Sequence, residues 1–364
     1  MDLNNFISFS EEDGEKFLKD ENLRKQIIEN TLIFLNSENG SKIIQKIYND
    51  YPLNREAIFN KIYPYILDIT KSDTGNYLMQ KIIESDASEQ KKIIKIFNKI
   101  KGHILELSIH NHGTYIIQKL IEKIKENYLI DISKELEWQY IYLIKDKNGN
   151  RVIQNLIMKQ SKEENDKIYE KIENNLIELS MNKYGCHVIQ ELLNNCNEIT
   201  YYKIFQKIFE NIDSLIKDKS GNYLIQYFLE DNTIKNIKNL DIIYQSIKEH
   251  IFDFCLDKHS VYIVEKILEL GNENYRKKII NEILELNKVK KDCLIVLAKN
   301  QYGNHVMQLL LKFCDMKTKK IIIDKILSDQ GVKNKEGYSS HVLEYIEALN
   351  IMNNGAFDYL KIGN

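Results

Sequence analysis

With 364 residues, a net charge of −2 and no apolar run long enough to cross a bilayer, the chain is excluded from the membrane-spanning class and from strongly basic nucleic-acid binders. Its five cysteines (Cys186, Cys196, Cys255, Cys293, Cys314) are odd in number and contain no CxxC pair, and the stretch from Met1 to Glu15 is acidic, so a disulfide scaffold and a secretory leader are excluded as well. A reduced, soluble, cytoplasmic protein is expected, and the scarcity of proline (Pro52 and Pro64 only) favours helices over strands.

Along the chain one polar set returns eight times: a small residue (the slot), an aromatic or cationic neighbour after it, and Gln or Glu four positions on. In order the copies are Ser41-Lys42…Gln45, Asn76-Tyr77…Gln80, Thr114-Tyr115…Gln118, Asn150-Arg151…Gln154, Cys186-His187…Gln190, Asn222-Tyr223…Gln226, Val261-Tyr262…Glu265 and Asn304-His305…Gln308. The steps of 35, 38, 36, 36, 36, 39 and 43 residues predict a solenoid whose units bury their apolar faces only against neighbours. One elongated domain replaces the two or three that length alone would allow.

The sixth copy shows how a unit is built. Ile204, Phe205, Ile208, Phe209, Ile212, Leu215 and Ile216 fall at helical spacing, Asp218 to Gly221 intervene, and Leu224, Ile225, Phe228 and Leu229 resume it, which predicts two helices and a tight connection. Four residues before each slot stand Ser37, Ser72, His110, Asp146, Asn182, Asp218, Asp257 and Asn300, all but His110 of the N-cap type, so the second helix is expected to start there. Slot and Gln then lie about 40° and about 6 Å apart on one face, and the residue after the slot points roughly 100° away. Glycine precedes the slot at Gly40, Gly75, Gly113, Gly149, Gly185, Gly221 and Gly303, where close approach of backbone or ligand is expected.

One polar set copied eight times suits graded recognition of a repetitive ligand, whereas catalysis needs one unique constellation. Asn with Gln offers two carboxamides, which match the acceptor-donor-acceptor edge of uracil. Cys or Ser with Gln leaves a smaller slot that suits adenine, and an ionised Glu only accepts, as guanine's two adjacent donors require. Tyr, His or Arg after the slot offers a stacking plane worth roughly 1–3 kcal/mol per base; Lys42 alone lacks one. Taken singly, each Asn is a helix cap, each Tyr a packing residue and each Gln a solvated position; eight in register are not accidental. Cys186 and His187 lack further ligands for a metal, His103, His110 and His112 fit capping and packing, and Gly40-Ser41-Lys42 lacks the glycine spacing and strand of a phosphate loop.

The runs Gly-Asn-Tyr-Leu-Met-Gln-Lys from Gly75, His-Gly-Thr-Tyr-Ile-Ile-Gln-Lys from His112, Asn-Gly-Asn-Arg-Val-Ile-Gln from Asn148, Tyr-Gly-Cys-His-Val-Ile-Gln from Tyr184 and Tyr-Gly-Asn-His-Val-Met-Gln from Tyr302 resemble the repeat signatures of the Pumilio (PUF) family of single-stranded RNA-binding proteins. The resemblance implies an all-α, right-handed solenoid crescent spanning 1–364, with a cap at 1–22, eight repeats over 23–320 and a C-terminal pseudo-repeat over 321–364 that includes Ser340-His341…Glu344. It implies second helices on the concave face and RNA running antiparallel. Repeats eight to one then take uracil (Asn304/Gln308), guanine (Glu265), uracil (Asn222/Gln226), adenine (Cys186/Gln190), uracil (Asn150/Gln154), adenine (Thr114/Gln118), uracil (Asn76/Gln80) and adenine (Ser41/Gln45), giving 5′-UGUAUAUA-3′. Val261 departs from the family's Ser, so guanine is expected with reduced affinity. The family further implies binding in messenger-RNA 3′ untranslated regions, a monomer with no cofactor or metal and no enzymatic role, and effector proteins on the convex face or on an extended loop at about Leu270 to Asp292. Two other classes compete: an armadillo-like peptide scaffold, which would favour a uniform slot, and a Pumilio-like ribosome-assembly factor, which would be more basic and less regular.

Overall fold

The computed structural model describes residues 18–85, 90–230 and 235–352; the expectations for 1–17 and 353–364 lie outside the described residues. Every regular element among the described residues is helical. Each unit has three helices rather than two. In repeat 6 the expected first helix is divided at Asn211 into Glu198–Glu210 and Ile212–Lys217, and the slot helix Gly221–Glu230 follows. The same order recurs as Gln90–Ile100, Ile104–Ile109 and Gly113–Lys123 in repeat 3, and as Glu126–Leu136, Tyr140–Lys145 and Gly149–Lys159 in repeat 4. A one-turn 3-10 segment makes the division at Tyr63–Tyr65, Glu137–Gln139, Glu173–Asn175 and Lys248–His250, while repeat 3 uses Gly102 at φ 88°. Such tight pieces redirect the chain without leaving backbone groups unpaired, and the short helix can then lay its apolar pair, Leu143 and Ile144 or Leu215 and Ile216, onto the slot helix with no exposed surface.

The slot helices carry the core. Residues two, three, six and seven after the slot are apolar and buried, as in Ile116, Ile117, Leu120 and Ile121, or Leu224, Ile225, Phe228 and Leu229. This stripe is wide enough to face the short helix of its own repeat and the slot helix of the next. Contacts gather the chain into two units, 18–179 with 187–201 and 180–186 with 202–352. In the first, the slot helices of repeats 1 to 4 pack on one another in chain order; in the second, those of repeats 6, 7 and 8 and the last helix, Ser339–Met352, do the same. Ion pairs tie adjacent repeats at the surface, among them Lys101–Asp131 at 2.9 Å and Lys119–Glu84 at 3.2 Å. Each such pair is worth little alone.

Leu270 to Asp292 is not a loop. The extra residues lengthen the first helix of repeat 8, Glu273–Val289, to 17 residues. The helix itself contains no glycine or proline, Asn272 caps it by accepting from the amides of Asn274 and Tyr275, and Tyr275, Ile279, Ile280 and Ile283 bury one face. The chain turns only afterwards, at Asp292 with φ 76°. Beyond repeat 8 the three-helix plan returns once more in Met316–Leu327, Gln330–Lys333 and Ser339–Met352, the first of these running across residue 320.

The glycine before the slot faces protein backbone, not open surface. A Cβ on Gly149 would stand 2.8 Å from the Leu143 carbonyl oxygen and 2.9 Å from its Cδ2, and the residue six positions earlier meets Gly75, Gly113, Gly221 and Gly303 in the same way. Repeat 7, with Ser260 at this position, turns the approach into a bond in which Ser260 Oγ donates to the Phe254 carbonyl at 3.3 Å. We expect Gly149→Ala, which offers no such bond, to destabilise the protein by about 1–3 kcal/mol, as overpacked sites do. An unchanged denaturation midpoint would show that the short helix shifts freely.

Candidate nucleic-acid interface

All eight residues four before the slot accept a hydrogen bond from the amide three positions on. The acceptors are the side chains of Ser37, Ser72, Asp146, Asn182, Asp218, Asp257 and Asn300 and Nδ1 of His110, at 2.7–3.2 Å. His110 therefore serves as a cap, a role that needs an unprotonated Nδ1, and burial holds its pKa below the usual histidine value. The start of the helix differs from expectation. Only in repeat 1 does it follow the cap directly, at Glu38; elsewhere regular helix begins three residues after the cap, at the glycine, or in repeat 7 four residues after it, at Val261. The slot remains in the first turn.

Slot side chains are buried rather than displayed: Asn76, Asn150, Asn222 and Asn304 are 0–2% exposed. Asn150 Nδ2 donates to the Asp146 and Lys147 carbonyls at 2.8 and 2.9 Å, and its Oδ1 accepts from Gln154 Nε2 at 2.9 Å. Gln80, Gln226 and Gln308 donate to Asn76, Asn222 and Asn304 in the same way, at 2.9, 2.8 and 3.4 Å. Ser41 and Thr114 accept from Gln45 and Gln118 at 3.1 and 3.0 Å and donate to the carbonyls of Thr74 and Asn148 in the next repeat at 2.7 and 3.5 Å. The expected i, i+4 pairing is thus present. Two equally open side chains are not: the slot is a clamp that fixes the carboxamide of Gln, whose Oε1 and second Nε2 proton those bonds leave unused. Cys186 Sγ donates to the Lys183 carbonyl at 3.7 Å, and Val261 has nothing to offer Glu265.

Residues after the slot point outward as expected. Tyr77, Tyr115, Tyr223 and Tyr262 are 57, 52, 52 and 47% exposed. Arg151, His187, His305 and Lys42 are exposed beside them in their own repeats, Lys42 paired with Glu38 at 2.8 Å. Between the slot helices of repeats 1 and 2 lies a cleft of about 740 Å³ whose lining includes Ser41, Lys42, Gln45, Thr74 and Tyr77. Flat faces on one side and a fixed carboxamide on the other can hold a planar heterocycle and test its edge.

Two further residues contribute that the repeat pattern did not single out. Thr74 and Asn148, each two positions before a slot, bond back to the Leu35 and Ile109 carbonyls of the preceding repeat, and their own carbonyls accept from Ser41 and Thr114. A polar side chain recurring just ahead of the glycine was the available signal. Among the described residues no group of three or more His, Cys, Asp or Glu side chains could hold a metal ion.

The carboxyl of Glu265 differs from the carboxamides. Burial, and then the nearby charge of Glu269, push its pKa up to about 7. Because the folded value lies above the unfolded one, this group favours folding fully below the ordinary carboxylate range, and that contribution is lost as pH rises through about 7. A carbon-13 titration of the Glu265 carboxyl should show a midpoint near 7, and Glu265→Gln should remove that part of the pH dependence of stability; a midpoint near 4.5 would contradict the burial.

The arrangement defines an all-α helical-repeat protein in which six of the eight repeats clamp a Gln edge and seven carry an exposed plane. The Pumilio-family RNA binding repeat matches seven segments, residues 65–95, 103–136, 139–173, 175–209, 211–239, 250–284 and 294–327, and the chain belongs to that family. Repeat 1 and the helices after 327 lie outside the matched segments. The chain is similar to "Putative pumilio homolog 13" of Arabidopsis thaliana, 34% identical over 76 residues that make up 21% of this chain and 13% of that relative's length. Among solved structures it is similar to "Puf3 RNA binding domain bound to Cox17 RNA 3' UTR recognition sequence site A", with TM-score 0.78, 29% identity and coverage of 92% of this chain and 98% of that one. It is also similar to the RNA-binding domain of yeast Puf5p bound to SMX2 RNA, with TM-score 0.65, 25% identity and coverage of 88 and 95%.

Proposed function

We propose that this chain is a single Pumilio domain that binds single-stranded RNA, one base per repeat, with 5′-UGUAUAUA-3′ as its preferred sequence. In this reading it is a cytoplasmic, non-catalytic regulator of messenger RNA acting through 3′ untranslated regions. The observation that carries it is the pairing, repeat after repeat, of a buried slot that orients Gln with an exposed plane on the next residue. Adjacent planes would hold a base between them, and the oriented edge would select it. Variation of the slot among Asn, Ser, Thr, Cys and Val changes how far Gln is held from its own helix and what it bonds. A code requires that variation; a peptide scaffold does not. An armadillo-like reading also needs open Asn side chains for a peptide backbone, and the four slot Asn here are buried with their donors engaged.

Titration of labelled 5′-UGUAUAUA-3′ should give tighter binding than the same oligomer beginning CGUA or UCUA, by about 1–3 kcal/mol per mismatch, as for other edge readouts. Equal affinity for all three would overturn the proposal. Converting repeat 6 with Asn222→Ser and Gln226→Glu should move its preference from uracil to guanine, and uniform loss of binding would refute the edge assignment. At repeat 7 guanine needs two acceptors, so it must meet the carboxylate of Glu265. With a pKa near 7, selectivity for guanine should strengthen as pH rises through 7 and weaken below it, while selectivity at the Gln repeats stays level.

A further inference from the structure

The final three helices repeat the plan of the units before them and carry the polar set once more. Ser340, His341 and Glu344 follow Asn304, His305 and Gln308 at a step of 36 residues, within the spacing of the eight repeats. The local backbone agrees in part: Lys335 and Gly337 stand at φ 60° and 61°, unlike the residues just before the eight slots, and the Glu336 side chain, in the capping position, pairs with Lys299 at 3.2 Å. The His341 amide bonds the Tyr338 carbonyl at 3.2 Å, as the amides of Tyr115 and His305 bond those of His112 and Tyr302 at 3.2 and 3.1 Å. Ser339, buried in the glycine position, donates from Oγ to the Glu336 carbonyl at 2.7 Å and approaches the Val332 carbonyl at 3.5 Å, whereas Ser260 in repeat 7 donates to the Asp257 side chain and the Phe254 carbonyl. Val342 and Leu343, two and three after the slot, are buried as in repeats 2 to 8, and the helix Ser339–Met352 packs on the slot helix of repeat 8. Tyr338 reaches back through its amide to the Lys299 carbonyl at 3.2 Å, which fixes the register between the two units.

A purely capping helix would need the apolar contacts and a polar outer face. Glu347, seven after the slot where the repeats have Ile, Leu or, in repeat 1, Tyr48, supplies that outer face and is exposed. The slot set serves no such purpose. Ser340 is only half-buried, where the repeat slots are closed, and His341 and Glu344 are exposed, with the His341 ring 6.2 Å from that of Tyr338 at an interplanar angle of 34°. A carboxylate one turn after a serine hydroxyl, beside an imidazole plane, is the combination that accepts from the adjacent ring N–H and exocyclic amine of guanine. Repeat 7 reaches for the same base without the hydroxyl.

We infer that the C-terminal unit is a ninth base-reading position, selective for guanine on the 5′ side of the sequence read by repeats 8 to 1. The inference rests on the proposed RNA-reading function. The test uses the full chain and four labelled nonamers, 5′-NUGUAUAUA-3′ with N as G, A, C or U, beside the octamer 5′-UGUAUAUA-3′. The G nonamer should bind about tenfold tighter than the other three. Glu344→Gln should erase that preference while leaving octamer affinity unchanged, which distinguishes lost recognition from lost folding. Four nonamers of equal affinity, with the octamer still preferred over 5′-UCUAUAUA-3′, would overturn the ninth position alone. If the octamer itself shows no such preference, the underlying reading of the repeats fails and this inference falls with it.

Discussion

The first turn of the slot helix is the constraint on which the rest depends. A capping side chain accepts from the amide just before the slot, the residue bearing that amide is small because the carbonyl six positions earlier presses on it, and the slot side chain is pinned under the turn. Loosening any of the three would let the helix roll, and Gln would no longer lie over its clamp. Packing and polar geometry are therefore set by the same six or seven residues. This explains why cap, glycine, slot and Gln recur as a block while the first helices drift in sequence and length.

Much of this was legible in the sequence because it is local. The caps, the i, i+4 pairing and the outward direction of Tyr77, Tyr115, Tyr223 and Tyr262 follow from helix geometry and were read correctly. Two features were not. The division of the first helix, at Asn211 in repeat 6, leaves apolar spacing almost unbroken, because a 3-10 or single-residue turn shifts the phase by less than the width of the buried stripe. The burial of the slot depends on carbonyls of its own first turn and, for Ser41 and Thr114, on carbonyls of the next repeat. Spacing gives direction around a helix but not depth beneath its neighbour. The family resemblance implies an extended loop at about Leu270 to Asp292, although most of those residues are those of a capped amphipathic helix.

The clamp changes how the slot contributes to selectivity in the proposed reading. A free Asn would act as a second reading head, whereas a buried one acts through the orientation and reach of Gln. Asn lends an acceptor on a longer arm, and Ser or Thr lends one close to the helix while also bonding the next repeat. The slot thus couples the edge shown to a ligand with the register between neighbouring repeats. Val261 can do neither, and burial, with the nearby charge of Glu269, pushes the Glu265 carboxyl up to about 7.

Net charge bears on the same question. A chain at −2 offers a polyanion little long-range attraction as a whole. Several of its lysines are also already tied to carboxylates of adjacent repeats, including Lys119 to Glu84 and Lys266 to Glu230 on the slot helices themselves. In the proposed reading those pairs leave fewer free cations on the slot helices, and base contacts fall to flat rings and oriented amides. Attraction that ignores sequence is thereby kept low, and the contacts that remain are those that depend on which base is present. The acidic balance that counted against nucleic acid at the level of composition is, at the level of the repeat, what a selective reader of bases requires.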